Sequence, residues 1–439
     1  MLSFKLGKTH VPHRKNTAGM QAVRMSAPNS VLIPMSQHIG APAVVTVKPG
    51  DKVYVGTLIG EAQGYVSSPV HSSVSGVVKK IERFLQSSGR KCDAVLIESD
   101  GEMTIDPAIA PPKVTNFDEF SAAVRASGLV GLGGAGFPTA VKLDAEKKGV
   151  VRKIIINGAE CEPYITSDTR TMLDDTDYIV KGIALLENYL SAEEIVFGIE
   201  KNKKECIEKL REVFSTDSKV RVDVMPDTYP QGAEKILIYN TTGLVVPEGA
   251  LPADVGCVVM NVTSLAFLAK YMETGVPLVE KCLTVDGSAI KNPMNVIAPI
   301  GTSVEEIISF TGGYSEEAGK VLYGGPMMGV SMYSTSDPIF KNTNAIVAMN
   351  KRDAAPKMQR ACIHCGRCVS ACPMGLNPTL FAKSMKVEDS AERLDRLTEA
   401  KINLCIECGC CSFVCPSSRP LVETNRLAKA DVRNLSAKK

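Results

Sequence analysis

Two runs of cysteine near the C-terminal end of the chain have the spacing of iron–sulfur ligands. Each run has three cysteines separated by two residues, then a fourth after three more residues, followed by proline. This C-x2-C-x2-C-x3-C-P pattern is typical of bacterial ferredoxins that bind 4Fe–4S clusters. Three thiolates at this spacing wrap one turn of backbone around a cluster, and the amides of that turn can donate to its sulfides. The first run consists of Cys362, Cys365, Cys368 and Cys372, and the second of Cys405, Cys408, Cys411 and Cys415.

The fourth cysteine of each run leaves the turn, and it is predicted to bind the cluster of the other run. Cys415 then completes the first cluster and Cys372 completes the second. The alternative is structural zinc, but zinc motifs typically pair two C-x2-C units and leave no fourth cysteine before a proline. The remaining cysteines are interpreted as packed thiols: Cys92, Cys161, Cys206, Cys257, Cys282 and Cys410.

A glycine-rich loop at residues 128–142 could bind phosphate. Gly131, Gly133 and Gly136 satisfy G-x-G-x-x-G, but a dinucleotide fingerprint follows a strand, and this loop follows the pattern of an amphipathic helix. The glycines still allow backbone N–H groups to turn toward an anion, and the Pro-Thr pair after them opens a helix whose N-terminus favours negative charge. Lys142 would add a positive charge on that helix. The alternative is a tight structural turn.

Amide and acidic side chains follow a predicted strand a short distance further along the chain. Residues 154–156 are three isoleucines, consistent with a buried strand of a parallel sheet. Such strands present functional residues at their C-terminal ends, where Asn157, Glu160 and Glu162 follow. Two acids beside a phosphate loop suit a site that also hydrogen-bonds ribose hydroxyls or a carboxamide. The alternative is a solvated acidic loop.

The sequences GLGGAGFPTAVK and NGAECEP and the twin cysteine runs resemble the RnfC family, the C subunits of the Rnf complex, a membrane-bound ferredoxin–NAD oxidoreductase. The resemblance covers essentially the whole chain, and the loop and strand end are more distantly similar to the flavoprotein subunit of respiratory complex I. Ala159 and Cys161 depart from the complex I version, which has Asp and Ser there. The implied contacts with noncovalent FMN are Gly131, Gly133, Gly134, Gly136, Lys142, Asn157, Glu160, Asn261 and Thr263; Phe137 and Glu162 are implied beside the nicotinamide of NAD(H), and Glu234 near the nucleotide.

The resemblance implies hydride transfer between nicotinamide and flavin beside Phe137 and Glu162, then one-electron transfer to or from the two clusters. The implied partners are the other Rnf subunits, with ferredoxin reached indirectly, and coupling through them would move Na+ or H+. The expected location is peripheral, on the cytoplasmic side of the cell membrane. Two alternatives stay open. One is an NADH-dependent cobalamin reductase, which carries its barrel at the other end of the chain. The other is a non-catalytic iron–sulfur wiring subunit with an empty flavin pocket.

The composition agrees with a soluble redox protein of several domains. The chain has 439 residues, of which 44% are hydrophobic and 22% charged. A net charge of +2, few aromatic residues and no tryptophan argue against nucleic-acid binding. The sequence shows no secretory signal and no run of about 18 apolar residues, so neither a leader nor a membrane span is expected. Fourteen cysteines in such a chain favour metal or redox chemistry.

The patterns of the intervening sequence predict the elements that position these groups. They indicate a multidomain chain of α/β and β parts. Residues 31–82 resemble the two halves of a lipoyl-type barrel sandwich that lacks a carrier lysine, so a structural or docking role is expected. Strands and helices alternate from residue 153 to about 275, as in a domain with a parallel sheet. The stretch between the cysteine runs has helical spacing, which favours an α-helical ferredoxin module.

Five units are therefore predicted. They are a lipoyl-like barrel sandwich (1–100), a complex I flavoprotein-like α/β domain for FMN and NADH (115–275), a soluble-ligand-binding β-grasp domain (280–349), an α-helical ferredoxin-like domain with two 4Fe–4S clusters (355–425) and a tail (426–439).

Overall fold

The structure, a computed structural model, describes residues 7–87 and 89–437. Its first residues, 7–25, form an extended strap that contacts two other parts of the chain. Thr9 and Tyr229 exchange both backbone hydrogen bonds, at 2.9 and 2.8 Å. Strand β1 (Val23–Arg24) pairs in parallel with a strand of the β-grasp sheet. In the expected unit of residues 1–100, this first segment therefore makes backbone hydrogen bonds with parts of the chain outside the barrel.

The N-terminal barrel sandwich is built from short antiparallel strands. They are β2 (Ser30–Pro34), β3 (Val44–Val45), β4 (Lys52–Val53), β5 (Leu58–Glu61), β6 (Val70–His71), β7 (Gly76–Leu85) and β8 (Lys91–Ser99). These strands form two sheets, in the orders β2-β8-β7-β4 and β3-β5-β6. Val31, Ile59 and Val95 are almost completely buried between them, as alternation of side chains along a strand requires.

A parallel sheet of four strands carries the glycine-rich and acidic loops. The strands are β9 (Lys153–Asn157), β10 (Glu194–Glu200), β11 (Val220–Met225) and β12 (Cys257–Asn261). The helices are α1 (Phe117–Ala126), α2 (Thr139–Leu143), α3 (Ser167–Asp174), α4 (Thr176–Tyr189), α5 (Lys204–Val213), α6 (Glu234–Thr242) and α7 (Val262–Thr274). The strand order is β11-β10-β9-β12. Ile154 and Ile156 enter the core on one face and Ile155 enters the core on the other, which explains the continuous apolar run.

The β-grasp domain follows as a mixed sheet around one helix. Its elements are β13 (Glu280–Asp286), β14 (Met294–Pro299), α8 (Val304–Phe310), β15 (Ala318–Tyr323), β16 (Val330–Ser331) and β17 (Ala345–Asn350), followed by α9 (Lys351–Ala354). The sheet order is β1-β14-β13-β17-β15-β16, so the strap supplies one edge strand. Leu283, Val296 and Ile307 lie in its core.

A buried lysine joins this domain to the two that precede it. The Lys341 Nζ donates to the carbonyl of Pro69 in the barrel at 2.6 Å and to that of Gly128 at 2.7 Å. Burial lowers the pKa of Lys341 to about 7. Because Gly128 begins the glycine-rich loop, this contact fixes the entry to that loop against both neighbouring domains.

The C-terminal module is helical, as the spacing between the cysteine runs predicts. Its helices are α10 (Arg367–Ser370), α11 (Pro378–Ser384), α12 (Ser390–Glu399), α13 (Cys410–Phe413) and α14 (Leu421–Ser436). Asn377 caps α11 by accepting from the Thr379 amide at 3.2 Å. Leu394 and Leu397 of α12 are buried in the core of the module.

The expected tail at residues 426–439 is wrong, because α14 continues through most of it. Ala428 and Val432 of this helix are buried in the same core as Leu397. Lys429 Nζ also donates to the Cys405 carbonyl at 2.9 Å. The helix has one apolar face that only the module can cover, so its residues belong to the folded unit.

Replacing Ala428 by aspartate tests this correction. The residue is completely buried, so Ala428→Asp places an unpaired charge in the core and should lower the free energy of unfolding by roughly 3 kcal/mol or more. The matched control is Leu427→Asp, because Leu427 is 64% exposed on the same helix and the change should cost within about 0.5 kcal/mol. Urea unfolding followed by circular dichroism measures both. Equal midpoints for the two variants would contradict the packing of α14.

Candidate functional site

The glycine-rich loop closes on itself between α1 and α2. The Gly131 amide donates to the Phe137 carbonyl at 2.8 Å, and the Gly136 amide donates to the Gly131 carbonyl at 3.1 Å. Gly134 has a φ of +116° and Gly136 a φ of +67°, conformations that L side chains rarely adopt. The tip of the loop, residues 133–135, is exposed, and Phe137 is half-buried behind it.

Three asparagine amides surround the tip of this loop. A Cβ on Gly133 would lie 3.0 Å from the Asn261 Nδ2, and one on Gly134 would lie 3.9 Å from the Asn344 Nδ2. Asn342 Nδ2 donates to the Gly134 carbonyl at 2.7 Å. The sequence predicted Asn261 and missed the other two, although the polar stretch KNTN before β17 is a signal that could have found them. The loop is thus held by the α/β and β-grasp domains together.

Two predicted residues, Asn157 and Asn261, are register partners at the carboxyl ends of β9 and β12. Asn157 Nδ2 donates to the Gly232 carbonyl at 3.0 Å. Asn261 caps α7, accepting from the amides of Thr263 and Ser264. Both side chains therefore stand at the edge of the sheet where ligands bind in folds of this class.

Asp168 joins two of the predicted residues, although no sequence pattern marked it. Its carboxylate accepts from Asn261 Nδ2 at 2.8 Å and from the Thr263 hydroxyl at 2.7 Å. Burial and the nearby Glu160 carboxylate raise the pKa of Asp168 to about 6. Its bonds fix the orientation of the Asn261 amide toward Gly133.

Lys142 and Glu234, both predicted, form an ion pair at the edge of the same site. The Lys142 Nζ lies 2.8 Å from the Glu234 carboxylate and also donates to the Val259 carbonyl at 3.2 Å. Both side chains are partly exposed. A bound phosphate would therefore share Lys142 with Glu234.

Glu160 is buried against α3, and its predicted contact with the flavin stays a prediction. It is 6% exposed, and its carboxylate accepts from the Asp168 amide at 2.7 Å and from the Thr169 hydroxyl at 2.8 Å. Lys203 Nζ lies 3.4 Å from the same carboxylate. Burial opposes ionisation, but Lys203 and Lys15 outweigh it and lower the pKa of Glu160. Its geometry is that of a buried anchor for the first turn of α3, because the helix N-terminus attracts negative charge.

Glu162 is held by a loop of the β-grasp domain. Its carboxylate accepts from the amides of Met327 at 3.0 Å and Met328 at 2.7 Å, and the Tyr229 hydroxyl lies 3.4 Å away. Burial raises the pKa of Glu162. We name residues 324–329 the clamp loop. The sequence predicted Glu162 but assigned the β-grasp domain only a structural role.

Lys15 of the strap holds the backbone of the acidic loop from the other side. Its Nζ donates to the carbonyls of Glu160 at 2.5 Å, Glu162 at 2.7 Å and Ile165 at 2.6 Å. Burial and the neighbouring Lys203 lower the pKa of Lys15 to about 8. A single ammonium group thus sets the curvature of the loop that presents Glu162.

The two cysteine runs adopt the same backbone conformation. His364 and Glu407, one residue before the second cysteine of each run, have φ values of +55° and +57°. Gly366 and Gly409, directly after that cysteine, have values of +74° and +78°. Each left-handed pair turns the chain into a short helix, α10 or α13, that carries the third cysteine. The two runs therefore share their backbone conformation as well as their cysteine spacing.

The structure brings the cysteines together in the crossed arrangement that the spacing predicts. One cavity is lined by Cys362, Cys365, Cys368 and Cys415, and the other by Cys372, Cys405, Cys408 and Cys411 together with the additional cysteine Cys410. Among the residues that the structure describes, no three His, Cys, Asp or Glu side chains converge as ligands of one ion. A 4Fe–4S cluster has no such requirement, since each of its four cysteines binds a different iron.

Family models match the chain in the order of its domains. They are the RnfC Barrel sandwich hybrid domain (residues 2–102), the Nuo51 FMN-binding domain (124–270), the SLBB domain (283–331) and two 4Fe-4S dicluster domain models (358–420 and 332–377).

Two relatives match over most of their lengths. The C subunit of the Na(+)-translocating ferredoxin:NAD(+) oxidoreductase complex of Acetobacterium woodii is 44% identical over 87% of this chain and 87% of its own. The C subunit of the proton-translocating complex of Clostridium ljungdahlii is 40% identical over 87% of this chain and 84% of its own. The chain belongs to the RnfC family. The resemblance seen in the sequence is thereby confirmed. The predicted functional class of the chain, an electron-transfer subunit of an ion-translocating oxidoreductase, is confirmed as well.

One solved structure supports the predicted fold class of this RnfC family member. An NAD+-reducing [NiFe]-hydrogenase in the air-oxidized state aligns with a TM-score of 0.52 and 19% identity. The alignment covers 73% of this chain and 64% of the hydrogenase chain, and at this identity it shows the fold alone. Together with the family models, it confirms the combination of flavoprotein-like core, barrel sandwich, β-grasp and ferredoxin parts.

The residues of this RnfC family member fit FMN and two 4Fe–4S clusters. The exposed glycine tip leaves backbone amides free of side chains, beside the sheet edge that carries Asn157 and Asn261. The cysteine sulfurs have N–H donors of the kind that tune clusters: His364 to Cys362 at 3.4 Å, Leu376 to Cys372 at 3.3 Å and Asn425 to Cys405 at 3.5 Å.

Substitution of Gly134 tests the loop. A side chain is strained at its φ of +116° and would project from the tip, so Gly134→Val should reduce flavin content at least about tenfold while iron content stays unchanged. Gly149→Val is the matched control, since Gly149 is also left-handed, at +62°, but has open space around its Cβ position. Flavin released by acid is measured by fluorescence. Equal flavin content in both variants would show that the loop does not hold the cofactor.

The pH dependence of stability tests the role of Lys15. Its folded-state pKa of about 8 lies below the ordinary value of 10.5, so the folded protein binds fewer protons than the unfolded chain between these values. The free energy of unfolding should therefore gain a contribution that rises from about pH 8 toward pH 10.5. Lys15→Met removes it, and the stability difference between wild type and variant should widen over this range in urea titrations. Lys48→Met, at an exposed turn, should give curves parallel to wild type.

Proposed function

We propose that this chain is the subunit that reacts with NAD(H) in its complex, and that it passes electrons between a nicotinamide, FMN and two 4Fe–4S clusters. One observation carries the proposal: a single buried group of side chains joins the acidic loop to the second cysteine run. That group contains the buried Tyr229, Cys408 and Cys410 and the partly buried Cys161 and Met327. The acidic loop and one predicted cluster cysteine, Cys408, thus belong to one apolar cluster.

The residues proposed for the flavin and the nicotinamide surround one edge of the parallel sheet. FMN, when bound, exchanges two electrons as hydride with a nicotinamide and single electrons with iron–sulfur clusters. The glycine tip and Lys142 would hold its phosphate, and Asn157, Asn261 and Thr263 would orient it. Phe137 and Glu162 would line the nicotinamide side. The fixed Glu162 carboxylate would position the nicotinamide and exclude water there.

We infer the order of the two clusters from the packing around Tyr229. Tyr229 is 1% exposed and lies between Glu162, through its hydroxyl, and the second run, where Cys410 Sγ is 3.9 Å from its carbonyl. Gly409 of that run is so close to the clamp loop that a Cβ would lie 2.6 Å from the Met327 carbonyl. We therefore place the cluster of Cys405, Cys408, Cys411 and Cys372 next to the flavin, and the cluster of Cys362, Cys365, Cys368 and Cys415 beyond it.

We assign the remaining steps to other subunits of the complex. Among the residues described, no helix combines the length and the apolarity needed to cross a bilayer. We propose a peripheral position on the cytoplasmic side of the membrane, with ferredoxin acting through a partner subunit. Two relatives of similar identity are named for sodium and for protons, so the choice of ion is assigned to the partners as well.

Cofactor content and reduction by NADH test this function. Anaerobically purified protein should contain eight irons, eight acid-labile sulfides and one FMN, and NADH should bleach the flavin band. Eight irons without flavin would favour the wiring subunit. Flavin that NADH fails to bleach would contradict the proposed reaction.

Alanine substitution of the crossed cysteines tests the order of the clusters. Cys372→Ala should disturb the cluster of the second run, so NADH should still bleach the flavin but the EPR signal of the first-run cluster should develop at least about tenfold more slowly. Cys415→Ala is the matched control at the equivalent position, and it should leave the second-run cluster reducible by NADH. Loss of only the first-run signal in Cys372→Ala would refute the crossed scheme.

A further inference from the structure

The two cysteine runs have the same local geometry but differ in the exposure of their second cysteine, which is exposed in the first run and buried in the second, while the third cysteine is buried in both. In the second run Cys408 and Cys411 are 8% and 7% exposed, and the run packs against Tyr229 and the clamp loop. In the first run Cys365 and its neighbour Gly366 are exposed. Electron transfer between proteins requires close approach, so a partner can reach this chain most easily at the first run.

Apolar side chains are exposed around the first run. Ile363 is 66% exposed, Val369 38% and Leu380 43%. Ile363 and Val369 line the same cavity as the first-run cysteines, together with Thr379, the neighbour of Leu380 on α11. Three exposed aliphatic side chains beside a redox site are typical of the centre of a docking surface, where a partner excludes water.

Basic residues are concentrated in the stretch of sequence that contains this apolar centre. Residues 351–386 carry seven Lys and Arg against one Asp, a net charge of +6, whereas the whole chain has a net charge of only +2. Lys351 and Arg352 pair with acids. The other five form no ion pair with any residue in the described ranges 7–87 and 89–437: Lys357, Arg360, Arg367, Lys383 and Lys386.

Three of these basic residues are neighbours of residues that line the first-run cavity. The Arg360 amide donates to the carbonyl of Ser417, a cavity residue, at 2.9 Å. Arg367 stands between two cavity residues in sequence, and Lys383 lies one helical turn after Thr379 on α11. We name the surface formed by Ile363, Val369, Leu380, Arg360, Arg367 and Lys383 the first-run face.

We propose that the first-run face docks an acidic one-electron carrier protein, whose negative side chains meet the basic rim while its redox centre approaches the apolar centre. This proposal rests on the proposed function. It adds the kind of partner that exchanges electrons with the first-run cluster, the cluster placed farther from the flavin. One electron crosses in each encounter; the cluster is oxidised by one unit and the acceptor reduced by one, or the reverse. No bond breaks and no proton is transferred. Complementary charge accelerates such encounters and orients them.

The alternative occupant, an anionic membrane surface, fits the face less well. Membrane-surface helices are long, strongly amphipathic and rich in aromatic or leucine side chains. Helix α11 has only seven residues, and the apolar centre contains no aromatic side chain. Lipid on this face would also cover the exposed edge of the redox site, where an electron carrier has to approach.

Binding of a redox-inert acidic protein gives the first test. The probe is plant plastocyanin, an acidic copper protein, with cadmium in place of copper, and its binding is followed by NMR line broadening. Binding should weaken with salt, and the variant R360E/R367E/K383E should lower the affinity at least about tenfold at low ionic strength. The matched control K48E, at an exposed turn of the barrel, should bind as wild type does. Equal affinities of the triple variant and wild type would overturn the proposal.

Electron transfer gives the second test and separates the outcomes. The wild-type protein and the triple variant are first reduced with dithionite and desalted. Each is then mixed in a stopped-flow instrument with copper plastocyanin or with the basic protein cytochrome c. The triple variant should react at least about tenfold more slowly with plastocyanin and faster with cytochrome c. Because NADH is absent, this result does not depend on the nicotinamide reaction. A triple variant that loses binding to phosphatidylglycerol vesicles, with its plastocyanin rate unchanged, would assign the face to a membrane and overturn the proposal.

Discussion

A half-buried carboxylate needs hydrogen bonds, and both amide donors of the Glu162 carboxylate come from another domain. The clamp loop supplies them, and Gly325 must be glycine there, since a Cβ would lie 2.2 Å from the Glu162 Oε2. Lys15 of the strap takes the carbonyl of the same residue. Three segments distant in sequence are thus required to hold one acid. The α/β domain alone could not present Glu162 in this position, which explains why strap, β-grasp sheet and parallel sheet pack as a unit.

The cysteine runs show the opposite situation, in which local sequence decides nearly everything. His364 and Glu407 are not glycine, yet both are left-handed, a conformation that costs about 1 kcal/mol or more for such residues. The same strain at the same position in two separate loops indicates a shared requirement, namely the turn that directs consecutive thiols toward one cluster. A pattern that fixes its own backbone can be read from spacing alone, and the crossed grouping of Cys372 and Cys415 was predicted in this way.

The same distinction separates what the sequence predicted from what it missed. The helix before the glycine loop, the strand of Ile154–Ile156 with Asn157 at its end and the helical ferredoxin module follow from short-range patterns. Asp168, Asn342 and the clamp loop reach the site only through tertiary packing, so no local pattern marks them. The resemblance implied a flavin contact for Glu160, and no local pattern showed that the chain turns between Glu160 and Glu162 and directs the Glu160 carboxylate to the Asp168 amide of α3. Sequence proximity in an irregular loop does not fix direction.

Two identical ligand patterns in one chain can differ in redox behaviour only through their surroundings. An iron–sulfur site gains negative charge on reduction, so burial of the second run opposes reduction there. Three features act against this cost: the Asn425 Nδ2 near Cys405 Sγ at 3.5 Å, and the ammonium of Lys429 and guanidinium of Arg426 that flank Glu407. In the first run the His364 N–H donates to Cys362 Sγ at 3.4 Å, and Arg360, Arg367 and Lys383 lie nearby in sequence or on α11. Each run thus has an N–H donor to a cysteine sulfur and cationic side chains in its neighbourhood, which offset the negative charge gained on reduction.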